Sequence, residues 1–132
     1  MIDQIWVQPA VHFWVGAAVV ATTLLSLIIT GIYAAQNKVV NRAVYAIFLL
    51  TQISLMVQVL IGIKLLDQGL GPLQLYIHYV GGLGALFFYV LFYWLPQSLK
   101  QKRWTAFSMS SLGFLFAMMA FWIGSIYVAQ GA

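Results

Sequence analysis

The sequence predicts an all-α integral membrane protein, a four-helix up-down bundle. Three observations carry that prediction: a near absence of charge, four apolar runs of spanning length, and short polar breaks between them. The 132-residue chain is 64% hydrophobic and only 6% charged, where a soluble domain carries about 25%. Such a composition describes a chain solvated mostly by lipid. A net charge of +4 rests on six basic residues. They are too few for a surface that tracks phosphates, so no nucleic-acid partner is expected. Cysteine is absent, which excludes disulfides, thiolate metal sites, iron–sulfur clusters and covalent c-type haem attachment. The first eight residues hold Asp3 and no basic residue, unlike a cleavable leader, so the first apolar run is read as a permanent helix.

The spans are expected at about 9–35, 43–66, 73–95 and 104–129, in one transmembrane domain covering 1–132. Each has roughly the 20 residues needed to cross a hydrocarbon core of about 30 Å. Gln36-Asn37-Lys38 and Asn41-Arg42 break the first pair, Asp67-Gln68-Gly69 and Gly71-Pro72 the second, and Pro96 through Arg103 the third. Pro9 and Pro72 suit first turns, where a missing N–H costs nothing. Such short breaks force neighbouring helices to be antiparallel. The first break holds Lys38 and Arg42, and the third holds Lys100, Lys102 and Arg103, against Lys64 alone on the other side. By the positive-inside rule, the first and third loops are cytoplasmic and both termini face outward, across the cell (plasma or inner) membrane. Trp6, Trp14, Tyr76 and Tyr127 then fall near outer ends, and Tyr33, Tyr45, Trp94 and Trp104 near inner ones, as interfacial aromatics do.

The two hairpins resemble each other, which suggests a 2+2 repeat. His12-Phe13-Trp14-Val15-Gly16 opens one, and His78-Tyr79-Val80-Gly81-Gly82 opens the other. Their returning helices close on Ile61-Gly62 and Ile123-Gly124, each followed after five residues by Gln-Gly. A parallel repeat of hairpins implies a pseudo-two-fold axis along the membrane normal, which would carry His12 onto His78.

These are the only two histidines. Ionisable groups inside spans are costly and usually face the bundle interior. Packing roles are one reading of the pair. The other is axial ligation of one b-type haem, His12 and His78 approaching the iron from opposite sides, as parallel helices across a bundle allow. In that reading Gly16 and Gly82, each one turn after a histidine, clear room for the macrocycle. The prolines differ in offset: His12 is three residues after Pro9 and His78 six after Pro72, about 4.5 Å in depth. Lys64 either pairs with Asp67 one turn on or meets a haem propionate. Gln52, Gln58, Thr22, Thr23, Ser26, Ser54 and Ser111 are candidates to bridge helices. Gly81 and Gly84 permit close packing, and Met56, Met118 and Met119 are read as core filler. The spans hold no Asp or Glu, so the usual proton relay of a pump is missing.

Val57-Gln58-Val59-Leu60-Ile61-Gly62, a short outer loop and then His78 resemble the Gln-x-x-x-Gly helix and His-led helix of the haem A synthase group. His12 resembles that family's earlier ligand. The similarity covers about residues 8–95, and cytochrome b561-like bundles are similar too. The resemblance implies a half-length, haem-holding four-helix fold. It does not imply the synthase reaction. The carboxylate three residues before the family's first histidine is Pro9 here, the Arg after it is Phe13, and the outer cysteine pair is missing.

The expected function is therefore electron transfer or haem holding with no catalytic residue, beside a larger membrane redox complex or a second copy of the chain. The alternative is a cofactor-free accessory subunit of a membrane complex.

Overall fold

The computed structural model describes residues 5–70 and 76–129. It contains α1 (Pro9–Ala35), α2 (Arg42–Asp67), α3 (Tyr76–Trp94), α4 (Gln97–Lys100) and α5 (Arg103–Ala129). The chain between 36 and 70 shows why the first two helices stop and start where they do. Pro9 opens α1 at its first turn. Asn37 ends it in the left-handed region at φ 54°, and Lys38 N–H donates back to the Tyr33 carbonyl at 2.9 Å, a Schellman closure. The Asn41 side chain accepts from Ala43 N–H at 3.0 Å and so caps α2. Gly69, at φ 73°, repeats the closure: Leu70 N–H donates to the Leu65 carbonyl at 2.9 Å.

The single helical turn α4 fills the third loop, which the sequence left irregular. Pro72, the expected start at Leu73, the Gln130-Gly131 half of the repeat, and Asp3 lie outside the described residues.

Four of the helices are long and apolar enough to cross a membrane. At 19 residues, α3 is the shortest, yet it still measures about 28 Å along its axis.

Every neighbouring pair runs antiparallel. From Tyr33 to Val7 along α1 and its leading segment, the hydrogen-bonded partners rise from Asn41 through Thr51 and Gln58 to Gln68. The helices close into a ring in the order α1, α2, α3, α5. The two parallel helices, α1 and α3, therefore stand on its diagonal. The α3/α5 seam is the most extensive and the α2/α3 seam the slightest.

Small and hydroxyl-bearing residues line much of the interior, and large apolar ones cover the outside. Thr23, Ser26, Thr30, Thr51 and Ser110 are fully buried, as are Ala85 and, nearly so, Ala106, Ala117 and Ala120. Leu24, Leu25, Ile28, Leu49, Ile53 and Leu115 face outward, as does Met56, one of the expected core fillers. That distribution suits lipid, where close backbone approach and interhelical hydrogen bonds hold helices together because apolar area drives nothing. Aromatic packing fills one end of the core: Phe48 meets Phe92 edge-on at 4.7 Å and Tyr89 at 5.1 Å between ring centres.

Candidate functional site

The helix diagonal brings the two histidines together. The rings of His12 and His78 lie 5.9 Å apart between centres, tilted by 60°. Both are partly buried. Each rests on a glycine of the helix returning from its own. A Cβ added at Gly62 would lie 3.3 Å from His12 Cε1, and one at Gly124 would lie 3.1 Å from His78 Cε1. Ile61-Gly62 and Ile123-Gly124 entered the sequence reading only as repeat markers. Here they are the surfaces on which the imidazoles sit.

Each histidine also bonds to the residue one turn before that glycine, but by different means. His78 Nδ1 lies 2.8 Å from the Ala120 carbonyl oxygen. A carbonyl only accepts, so Nδ1 carries the proton and neutral His78 keeps its lone pair on Nε2. His12 Nε2 instead lies 3.2 Å from the Gln58 carboxamide nitrogen. His12 Nδ1 and Gln58 Oε1 are buried with no hydrogen-bond partner in the structure.

The reason for the difference is the residue three positions on along each leading helix. Gly81 lets α3 press against α5: a Cβ there would stand 2.8 Å from Ala120 Cβ and 2.9 Å from both Ala120 N and Phe116 O. That closeness puts a main-chain carbonyl within reach of His78. In α1 the matching position is Val15, and a side-chain amide does the reaching instead.

The glycines expected to clear a macrocycle behave unequally. A Cβ at Gly82 would meet nothing within 4 Å. At Gly16 it would lie 3.1 Å from Gln58 Nε2 and 3.5 Å from Phe121 Cδ2. Gly16 therefore houses the carboxamide and a phenyl edge and offers no clearance. Lys64 takes the first of its two expected roles: Nζ donates to Asp67 Oδ2 at 2.6 Å, since a carboxylate three residues on in a helix is always within reach.

Chemically, the site offers two imidazoles from opposite sides of a bundle, one with its tautomer set by the Ala120 carbonyl. Among the described residues no cluster of three or more His, Asp or Glu could hold a bare metal ion, so the pair would need a ligand that brings most of its own donors. Comparison with protein families, with curated proteins and with solved structures finds no match for this chain.

Proposed function

We propose that this chain binds one b-type haem between His12 and His78, near the outer face, and passes electrons or holds haem beside partner subunits. In this reading both termini face outward and the two hairpins form a 2+2 repeat.

The observation that carries the proposal is the facing imidazole pair on diagonal helices. An imidazole nitrogen sits about 2.0–2.1 Å from a bound metal (the zinc value), so two rings sharing one metal from opposite sides have centres roughly 6 Å apart. The pair stands at 5.9 Å. Three further features fit. The Nδ1–H bond to the Ala120 carbonyl is the outer contact that metal-bound histidines usually make. His12 Nδ1 is a buried nitrogen without a protein partner. Gly82 leaves open space one turn from His78. The Gly62 and Gly124 contacts also support the repeat, because the same matched position serves each histidine.

A haem held there supplies a one-electron carrier. The chain's own residues hold and orient the two imidazoles, and the surrounding apolar helices exclude water. Held by both His12 and His78, a haem would serve as an electron relay rather than as a site for substrate.

The test is the reduced-minus-oxidised absorption spectrum of detergent-purified protein made with ample haem. A six-coordinate, low-spin b-type spectrum is expected, lost in both His12→Ala and His78→Ala while the protein still inserts. A wild type with no haem absorption, or two alanine variants with normal spectra, overturns the reading in favour of an accessory subunit.

A further inference from the structure

The unequal hydrogen bonding of the two histidines assigns a role to Gln58. We propose that Gln58 is a positioning residue for His12, its carboxamide oxygen accepting the Nε2–H so that His12 presents Nδ1 to the iron while His78 presents Nε2. This rests on the haem reading above.

Proton counting gives the argument. Suppose the amide nitrogen of Gln58 faces His12. It donates to Nε2, so the ring proton must sit on Nδ1, and His12 has no lone pair left for a metal. That arrangement also leaves a buried N–H on His12 Nδ1 without a partner, and such an orphan is costly; the outer atom of the Gln58 carboxamide has no partner in either arrangement. The oxygen and nitrogen of a carboxamide occupy nearly the same space, so a half-turn of the amide exchanges them with the 3.2 Å contact to Nε2 unchanged. Oxygen then accepts the Nε2–H, and the lone pair moves to Nδ1, the buried nitrogen that nothing in the protein engages. Gln58 Oε1 now does for His12 what the Ala120 carbonyl does for His78. It does so from the matched position, four residues before the glycine under the ring.

The two supports differ in one respect that experiment can reach. Ala120 acts through its main chain, which substitution does not remove. Gln58 acts through its side chain. A stronger acceptor at position 58 makes His12 a more basic ligand, which favours ferric over ferrous iron.

The experiment measures the midpoint potential of the haem-loaded wild type, Gln58→Glu and Gln58→Leu, together with the histidine ¹⁵N spectrum of the haem-free wild type. Gln58→Glu is expected to lower the potential by about 59 mV, a tenfold shift in a one-electron equilibrium. Gln58→Leu, which keeps the fold testable if the buried carboxylate does not, raises it by a smaller factor. Both keep the bis-imidazole spectrum. In the haem-free protein His12 is protonated on Nε2 and His78 on Nδ1. Potentials that do not move between wild type and Gln58→Leu, or His12 protonated on Nδ1, overturn the role of Gln58 even though haem binds. A wild type that takes up no haem overturns the haem reading itself, and is seen before any potential is measured.

Discussion

Where α1 meets α2, the seam runs through polar side chains. Ser26 and Thr51 share a hydrogen bond at 3.2 Å, Thr51 Oγ1 donates to the Thr22 carbonyl at 3.2 Å, and Gln58 reaches His12. Where α3 meets α5, the seam runs through missing side chains. Gly81 lies against the Ala120 backbone, Gly84 against Phe116, and Gly113 receives the ring of Tyr89. Two hairpins of similar sequence outline thus solve one problem by different chemistry. Hydrogen bonds across a gap tolerate a fixed spacing between helix axes, whereas glycine contacts demand a short one. The difference explains why the second hairpin has the more extensive seam and why its histidine is held by a main-chain atom.

Substitutions can break that comparison, beginning with the largest effect. Under the proposed haem reading, Gly82→Leu should abolish the low-spin spectrum by filling the open space beside His78. Gly16→Leu should first dislodge Gln58 and Phe121 and so disturb His12. Absorption spectra of both variants check this, and equal, complete loss in each would mean that the two faces are alike after all.

Gly81→Val should come next. Its Cβ meets backbone atoms that cannot swing aside, and overpacking of this kind costs about 1–3 kcal/mol, measurable as reduced resistance to unfolding in detergent. A Gly81→Val variant as stable as wild type would deny the close α3/α5 approach.

Thr51→Val removes both interhelical bonds of a fully buried hydroxyl. Interhelical bonds in bilayers average about 0.6 kcal/mol and reach about 1.7, so the same unfolding assay should register a smaller loss. Lys64→Ala should register least. The Asp67 partner is largely exposed, and such pairs contribute about 0–1 kcal/mol. Haem retention should be unchanged, whereas a marked loss would return Lys64 to a propionate-binding role.

The spans were legible because apolar runs, proline starts and Asn or Gly stops leave strong local marks, and the limits of α1 and α2, the end of α3 and the start of α5 fall within a residue of those expected. Gln58 was legible as a helix bridge, and Gly81 and Gly84 as points of close approach. Other features left no such mark. Thr30, Thr51 and Ser110 are mildly polar residues in apolar runs, and only the folded bundle shows that Thr30 and Ser110 meet at 2.6 Å. Ser54 and Ser111, expected to bridge helices, instead donate to carbonyls four residues back, Leu50 and Phe107, the partner every helical serine already has at hand. Gly16 and Gly82 look identical on a helical wheel. They differ because Gln58, on another helix, lies over one of them. Local sequence cannot report a contact that depends on which neighbour arrives.

Beyond the start of α1 the chain has one more attachment. Gln68, at the end of α2, accepts from Val7 N–H at 2.8 Å and donates to the Val7 carbonyl at 2.9 Å. The first turns of a helix are where fraying begins, and His12 sits in the opening turn of α1. By gripping both polar groups of one backbone unit, as a neighbouring strand would, Gln68 closes the first hairpin at its open end. Local opening there must then break two further bonds before the imidazole can stray, and slow amide exchange at Val7 would be the outward sign of that latch.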